Sequence, residues 1–334
     1  MSKQWSSEDV FALAASYRSA CVLAAAVDFD LFVLLEGAPQ TAEDVADKLR
    51  SDLRATIILL DALVALELLE KRNERYALSP GIDAVLTPHG PGSTLAMAQH
   101  HANCLRRWAQ LTRVIQIGMP TDRQPSIRGH EADQAAFIEA MNDSSSLVAD
   151  KVIADIQPLS FTHLLDVGGG SGTWTIAFLR ASPNTTATIF DLPHVIPMAR
   201  QRMSRTPMYD RVTFVGGDFL TDPLPKDADL AWLGAIVHQN SREQNRHLLS
   251  ALFDALVSGG QVLIRDVLMD DAHTAPLFGA LFAVNMLVNT DGGGTYSFRE
   301  LRDDLEAAGF IDANILRHDD RMNTILRARK PDGI

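Results

Sequence analysis

At 334 residues the chain has room for two hydrophobic cores, and 46% apolar with 22% charged residues is ordinary globular composition. A formal net charge of −12 argues against nucleic acid as a partner, because phosphate binding needs a basic footprint. Cys21 and Cys104, the two cysteines, cannot build a disulfide framework or a structural zinc site, so no metal is expected.

The first residues are polar and acidic, unlike a secretory signal. The apolar stretch 20–35 is interrupted by Asp28 and Asp30 and falls short of a bilayer span, so no membrane partner and a cytoplasmic location are expected. Residues 7–35 carry apolar residues at helical spacing on more than one face, which calls for burial, here between subunits. Thr41, Glu43 and Asp44 open a helix running to Leu49. A second helix is predicted over 52–70, followed by a turn and short strand over 71–78. Helix, helix and hairpin is a winged-helix order, often a DNA-binding one, but residues 1–90 hold more acidic than basic side chains.

A Pro/Gly loop at 88–92 precedes helical patterns over 94–117. A second loop spans 118–130, and a helix over 132–156 leads into a different pattern. From His163 strand-like and helix-like segments alternate. Strands are predicted at 163–167, 186–190, 212–215, 230–237 and 261–268, and helices at 173–181, 194–203 and 242–257. That alternation predicts an α/β, Rossmann-like, doubly wound sheet with ligands at the carboxyl ends of its strands.

The first of these strands ends in Leu165-Asp166-Val167-Gly168-Gly169-Gly170-Ser171-Gly172 and a helix follows. Glycines there let the backbone turn sharply and a ligand approach without a Cβ in the way. Asp191 ends the next strand, where a carboxylate can accept hydrogen bonds from ribose hydroxyls. Gly217-Asp218-Phe219 closes the third, placing a carboxylate and an aromatic face where an adenine can lie. A nicotinamide dinucleotide site would want Gly-x-Gly-x-x-Gly, and here the third glycine comes one residue early. S-adenosylmethionine (SAM) carries no phosphate, so a tight glycine turn suffices, and SAM is the expected cofactor.

The run from Asp166 through Asp191-Leu192-Pro193-His194-Val195 to Gly217-Asp218-Phe219 resembles the cofactor domain of the caffeate-type and bacterial small-molecule O-methyltransferases. The resemblance extends over nearly the whole chain. It implies a helical, winged-helix-like dimerisation domain at 1–117, a connecting loop and helix at 118–157, and a SAM-binding domain at 158–334. It also implies a homodimer and a small-molecule acceptor. Cofactor contacts fall on Asp166, Gly168, Gly170, Gly172, Asp191, Leu192, Asp218 and Phe219, and acceptor contacts on Phe137, Met141, Met286, Asn289, Thr295 and Tyr296.

His238 follows the apolar run 230–237, where the family resembled keeps its general base. A phenol has a pKa of about 10, so a base that takes its proton as attack develops assists the transfer. Asp266 matches a carboxylate that orients this histidine. The family's second such acid falls on Thr295, which supplies no charge, and its His-Asp-Trp reads His238-Gln239-Asn240 here. Sulfur, nitrogen or carbon therefore stay open as the methylated atom beside oxygen, as do a same-fold enzyme that keeps SAM but has changed its chemistry and a SAM-sensing DNA-binding regulator. Trp174, Met198 and Trp232 fit either a cofactor pocket or the core. Adjacent His100 and His101 point in different directions on a helix and do not form a metal site.

Overall fold

The computed structural model describes residues 3–333, which fall into two compact units: residues up to 109 with 123–143, and residues 110–122 with 144 onward.

The chain opens with α1 (Ser7–Ala15), α2 (Tyr17–Asp28) and α3 (Leu31–Leu34). Ser6 and Asp9 form a reciprocal capping box at the start of α1. The single helix expected over 7–35 is broken twice. Ser16 turns its hydroxyl back onto the Leu13 carbonyl, and Asp30 adopts a left-handed conformation (φ 50°). The helical run Ser7–Asp28 is nevertheless 22 residues long and apolar enough, by length and composition, to cross a membrane. This corrects the expectation from 20–35, because the run begins well before Ala20 and Asp28 ends it rather than interrupting it. Its first half is bare: Phe11 is 72% and Leu13 62% exposed, and α1 buries no residue.

β1 (Gln40–Thr41) leads into α4 (Ala42–Leu49), with Thr41 and Asp44 as a second capping box, and then α5 (Leu53–Ala65). The helix expected to reach 70 stops at Ala65, since Glu67 takes φ 61° and β2 (Leu69–Arg72) begins just beyond. β2 and β3 (Arg75–Leu78) form the hairpin, and β1 pairs antiparallel with β3. Leu31, Phe32, Val45, Leu60, Leu63 and Tyr76 are the centre of this unit's core. α6 (Ile82–Leu86), α7 (Leu95–Trp108), α8 (Leu111–Ile117) and α9 (His130–Ser146) follow, so the pattern expected over 94–117 is two helices. The helix expected over 132–156 is likewise two, α9 and α10 (Ala149–Asp155).

The second unit is built on seven strands: β4 (His163–Val167), β5 (Thr186–Asp191), β6 (Val212–Gly216), β7 (Ala228–Gly234), β8 (Leu256–Asp266), β11 (Ile311–Arg317) and β12 (Thr324–Arg329). Their order is β11-β12-β8-β7-β4-β5-β6, parallel from β8 to β6, with β12 and β11 antiparallel at one edge. β4 is flanked by β5 on one side and β7 on the other, so the strand order reverses at β4, where ligands of such sheets collect. Between the strands run α11 (Thr173–Ala181), α12 (Ile196–Met203) and α13 (Arg242–Ala255). Short β9 (Leu268–Met269), α14 (Leu277–Asn289), short β10 (Tyr296–Ser297) and α15 (Phe298–Ala307) follow β8, with β10 pairing parallel to β9. This is the Rossmann-like α/β fold, and the first unit is mainly helical.

Trp232 and Trp174 belong to the core rather than to a pocket. Their rings lie 5.0 Å apart beside Phe178, with Trp232 fully buried.

Candidate active site

The glycine turn after β4 is held to the end of β5. Gly170 sits at φ 55°, and its N–H donates to Asp191 Oδ2 at 2.7 Å. A Cβ on Gly170 would meet no atom within 4 Å and would project into the open side of the turn. That is the space a ligand approaching the backbone would take. Asp191 Oδ1 accepts the Leu192 N–H at 2.7 Å, and the Asp191 carbonyl accepts the Gly217 N–H at 2.9 Å. Gly168 to Gly172, Asp191, Leu192 and Gly217 to Phe219 are thus gathered at the carboxyl ends of β4, β5 and β6. Asp218 Oδ1 accepts the Leu220 N–H, and Phe219 packs against the core edge.

Two carboxyls here are held above their ordinary range. Burial pushes Asp166 up to about 7, and the charge of Asp191 adds to it, against the hydroxyl that Thr175 donates at 2.5 Å. Burial also raises Asp191, against the N–H groups of Gly170 and Leu192. A site with two poorly solvated carboxyls favours a cationic ligand, since a positive charge brought close stabilises their ionised forms. SAM, with a sulfonium and an ammonium, has that character, and each Asp191 oxygen retains acceptor capacity beyond its one backbone N–H. The residues present fit the cofactor.

β7 ends at Gly234, three residues sooner than expected. Ala235 takes φ 63° and donates its N–H to the Arg265 carbonyl, and the chain turns through a short 3-10 segment, Val237–Gln239. His238 rides on that turn rather than on the strand. Nδ1 lies 2.9 Å from both oxygens of Asp266, and the His238 backbone N–H donates to Asp266 Oδ2 at 3.3 Å. Asp266 ends β8, is 2% exposed, and also accepts the Val267 N–H. The His238 ring is buried and meets Phe282 of α14 edge-on, with centroids 4.9 Å apart. Phe282 was not anticipated. It lies four residues before Met286 on one helix face, so the spacing back from Met286 and Asn289 was the signal available.

The turn is clamped from outside. Asn245 of α13 donates to the Val237 carbonyl at 2.9 Å and accepts from Asn240. The Tyr296 hydroxyl donates to the Asn240 carbonyl at 2.6 Å, and burial pushes that phenol up to about 12. Gly294 N–H donates to the His238 carbonyl at 2.9 Å, and a Cβ on Gly293 would stand 2.5 Å from the same oxygen. Thr295 is buried next in line. Tyr296 therefore spends its hydroxyl on the turn that carries His238. Met286 is buried on α14, and Asn289 donates to Asn285 one turn back. Phe137 and Met141 lie one turn apart on α9 of the first unit.

The O-methyltransferase domain profile matches residues 117–311, well over half of the chain, and the O-methyltransferase dimerisation domain profile matches residues 11–86. The chain belongs to the O-methyltransferase family. It is similar to 3-hydroxy-5-methyl-1-naphthoate 3-O-methyltransferase of Streptomyces sahachiroi, at 33% identity over 88% of this chain and 87% of that one. The N,N-dimethyltransferase OxyT of Streptomyces rimosus is 34% identical over 89% of each. Among solved structures, human N-acetylserotonin methyltransferase in complex with SAM superposes with a TM-score of 0.80, at 26% identity over 99% of this chain and 100% of that one. The chain is a SAM-dependent methyltransferase, and its front unit contains a dimerisation domain. A reading as a DNA-binding sensor is superseded by that membership.

Proposed function

We propose that this methyltransferase methylates a hydroxyl on an aromatic small molecule, with His238 as general base and Asp266 as the residue that orients it. The observation that carries the reading is the buried contact of His238 Nδ1 with both oxygens of Asp266. A carboxylate so placed keeps the proton on Nδ1 and leaves the Nε2 lone pair to take the hydroxyl proton. It also stabilises the imidazolium as that proton arrives. The cofactor, when bound, supplies an electrophilic methyl on a sulfonium sulfur. Asp191 would accept hydrogen bonds from its ribose, with Leu192 alongside. Asp218 and Phe219 would hold the adenine, and the turn at Gly168, Gly170 and Gly172, over Asp166, would cradle its amino-acid end.

Phe282 gives the surroundings of His238 an apolar character suited to an arene, and Met286, Asn289 and Thr295 of the same unit are assigned acceptor contact by resemblance. Phe137 and Met141 are assigned acceptor contact by resemblance. Tyr296 is assigned to the His238 turn. Bringing methyl and acceptor oxygen to near-attack distance would contribute up to about 7–11 kcal/mol in favourable cases, and the base a further factor of roughly 10²–10⁴. We also propose that two copies pair through the exposed apolar faces of α1 and α2. This pairing accounts for a helical run of spanning length without a bilayer, and a cytoplasmic location goes with it.

N-methylation is a second reading. It is favoured by the likeness to an N,N-dimethyltransferase and by Thr295, which brings no second charge to the base. His238→Ala tests the main reading. Transfer of labelled methyl to phenols should be lost while SAM affinity by calorimetry stays close to wild type. Undiminished transfer in the variant removes the base and moves the acceptor to nitrogen, sulfur or carbon.

A further inference from the structure

Arg265, the residue before Asp266 at the end of β8, is 6% exposed, and the chemistry at His238 does not use its side chain directly. Along β8, Val262, Ile264 and Asp266 turn to one face of the sheet. Leu263 and Arg265 turn to the other, where Trp174 and Trp232 pack. There the guanidinium carbon stands 4.4 Å from the centre of the Trp174 ring, and Nε and Nη2 both donate to Asn323 Oδ1, at 2.9 and 2.8 Å. The Arg265 carbonyl accepts the Ala235 N–H that opens the His238 turn. A cation is thus fixed across the sheet from the carboxylate that His238 leans on.

Burying a charge is costly unless an opposite charge answers it, and here the direct partners are a neutral amide and an indole. Among the described residues Arg265 makes no ion pair, and Asp319 is engaged by Arg317 at 3.3 Å. Burial pushes the guanidinium down to about 10, opposed by the charge of Asp266 and then that of Asp319, with Arg317 adding to the burial. Arginine keeps its proton even so. An apolar side chain would fill the same space with less desolvation, so the charge itself needs a reason. Asp266 supplies one.

We propose that Arg265 is a positioning residue for the base, its buried charge holding Asp266 ionised and His238 neutral before the acceptor arrives. A positive charge beside a coupled acid and base favours the state with fewer protons on the pair. In that state Asp266 accepts from His238 Nδ1, and Nε2 keeps a free lone pair. The other groups around the pair do not supply this charge. α14, α13 and β12 bring Phe282, Asn245 and Thr324, all uncharged. The Tyr296 phenol is pushed up to about 12, first by burial and then by the charges of Glu300, Asp304 and Asp266 against Arg242, and stays neutral. Beyond it Glu300 and Asp304 are paired with Arg242, and Asp304 with Arg246 as well. The inference rests on the reading of His238 as base.

Titration of the His238 ring by nuclear magnetic resonance tests it without turnover, on protein with labelled histidine and the signal assigned by its loss in His238→Ala. Arg265→Met keeps packing on Trp174 and removes the charge, so the His238 midpoint should rise by about one pH unit. Arg265→Lys keeps the charge and should leave the midpoint close to wild type. Asn323→Asp sets a carboxylate against the guanidinium and should raise the midpoint as Arg265→Met does; it serves alone if Arg265→Met does not fold. The acid limb of kcat/KM for a phenol should move with the midpoint in each variant. An unchanged midpoint in folded Arg265→Met or in Asn323→Asp overturns the proposal. So does a rise in Arg265→Lys as large as in Arg265→Met, which would mark packing rather than charge. Failure of the base reading would show separately, as undiminished label transfer by His238→Ala.

Discussion

Asp266→Asn isolates the charge behind His238 with little change of shape. Asp266 accepts three N–H groups: His238 Nδ1 at 2.9 Å, the His238 backbone at 3.3 Å and the Val267 backbone at 2.8 Å. An asparagine keeps one carbonyl oxygen and turns an NH2 toward donors that need an acceptor. A buried donor left unsatisfied costs about 1–3 kcal/mol, and the imidazolium formed during transfer also loses its counter-charge. About 3 kcal/mol on the barrier corresponds to roughly a hundredfold loss in kcat. Single-turnover transfer of labelled methyl to a phenol, across pH 7 to about 10, measures it. The deficit should narrow as the pH approaches the phenol's pKa of about 10, where the acceptor ionises without help. SAM affinity, which we assign to the ends of β4 to β6, should not move. A deficit that is flat with pH, or a variant that transfers like wild type, would refute the assignment of Asp266 to the base.

Gly170→Ala puts a side chain at φ 55° into the open side of the glycine turn after β4. Left-handed strain of about 1–2 kcal/mol should lower the melting temperature, and SAM affinity should fall further still; an unchanged affinity would separate this turn from the cofactor. Asp166 is raised from 3.8 to about 7 by burial, so the unfolded chain ionises first as pH climbs. The resulting penalty grows from about pH 4 to about pH 7 at roughly 1.4 kcal/mol per unit and then levels off. Asp166→Asn should therefore stabilise the protein at pH 8 more than at pH 5 in thermal melts, and an equal effect at both would contradict the burial argument. Phe11→Asp with Leu13→Asp should convert a dimer to a monomer in sedimentation, because both side chains stand bare on α1; a persistent dimer would place pairing elsewhere.

What the sequence revealed was carried by backbone-specific residues. The glycine turn, Asp191 and Gly217 are legible because strand, glycine and carboxylate recur in a fixed order, and the structure brings all three together through Gly170 and Asp191. The place of His238 was less legible. An apolar run through Val237 reads as strand, and no glycine or proline marks the left-handed turn at Ala235 that ends β7. The same holds at Glu67, where a leucine-rich helical pattern gives way to the hairpin without a breaker in the sequence. The Asn245 and Tyr296 clamps on the His238 turn were invisible for another reason. Their partners lie far off in sequence or depend on burial, neither of which local spacing encodes.

The central claim is methyl transfer to an acceptor hydroxyl assisted by His238. Its most direct test is to supply SAM with an isotope-labelled methyl and find, by nuclear magnetic resonance of the product, which atom has received it. Label on a phenolic oxygen, absent with His238→Ala, is the predicted result; label on nitrogen, sulfur or carbon, or on oxygen at equal rate in the variant, would contradict it.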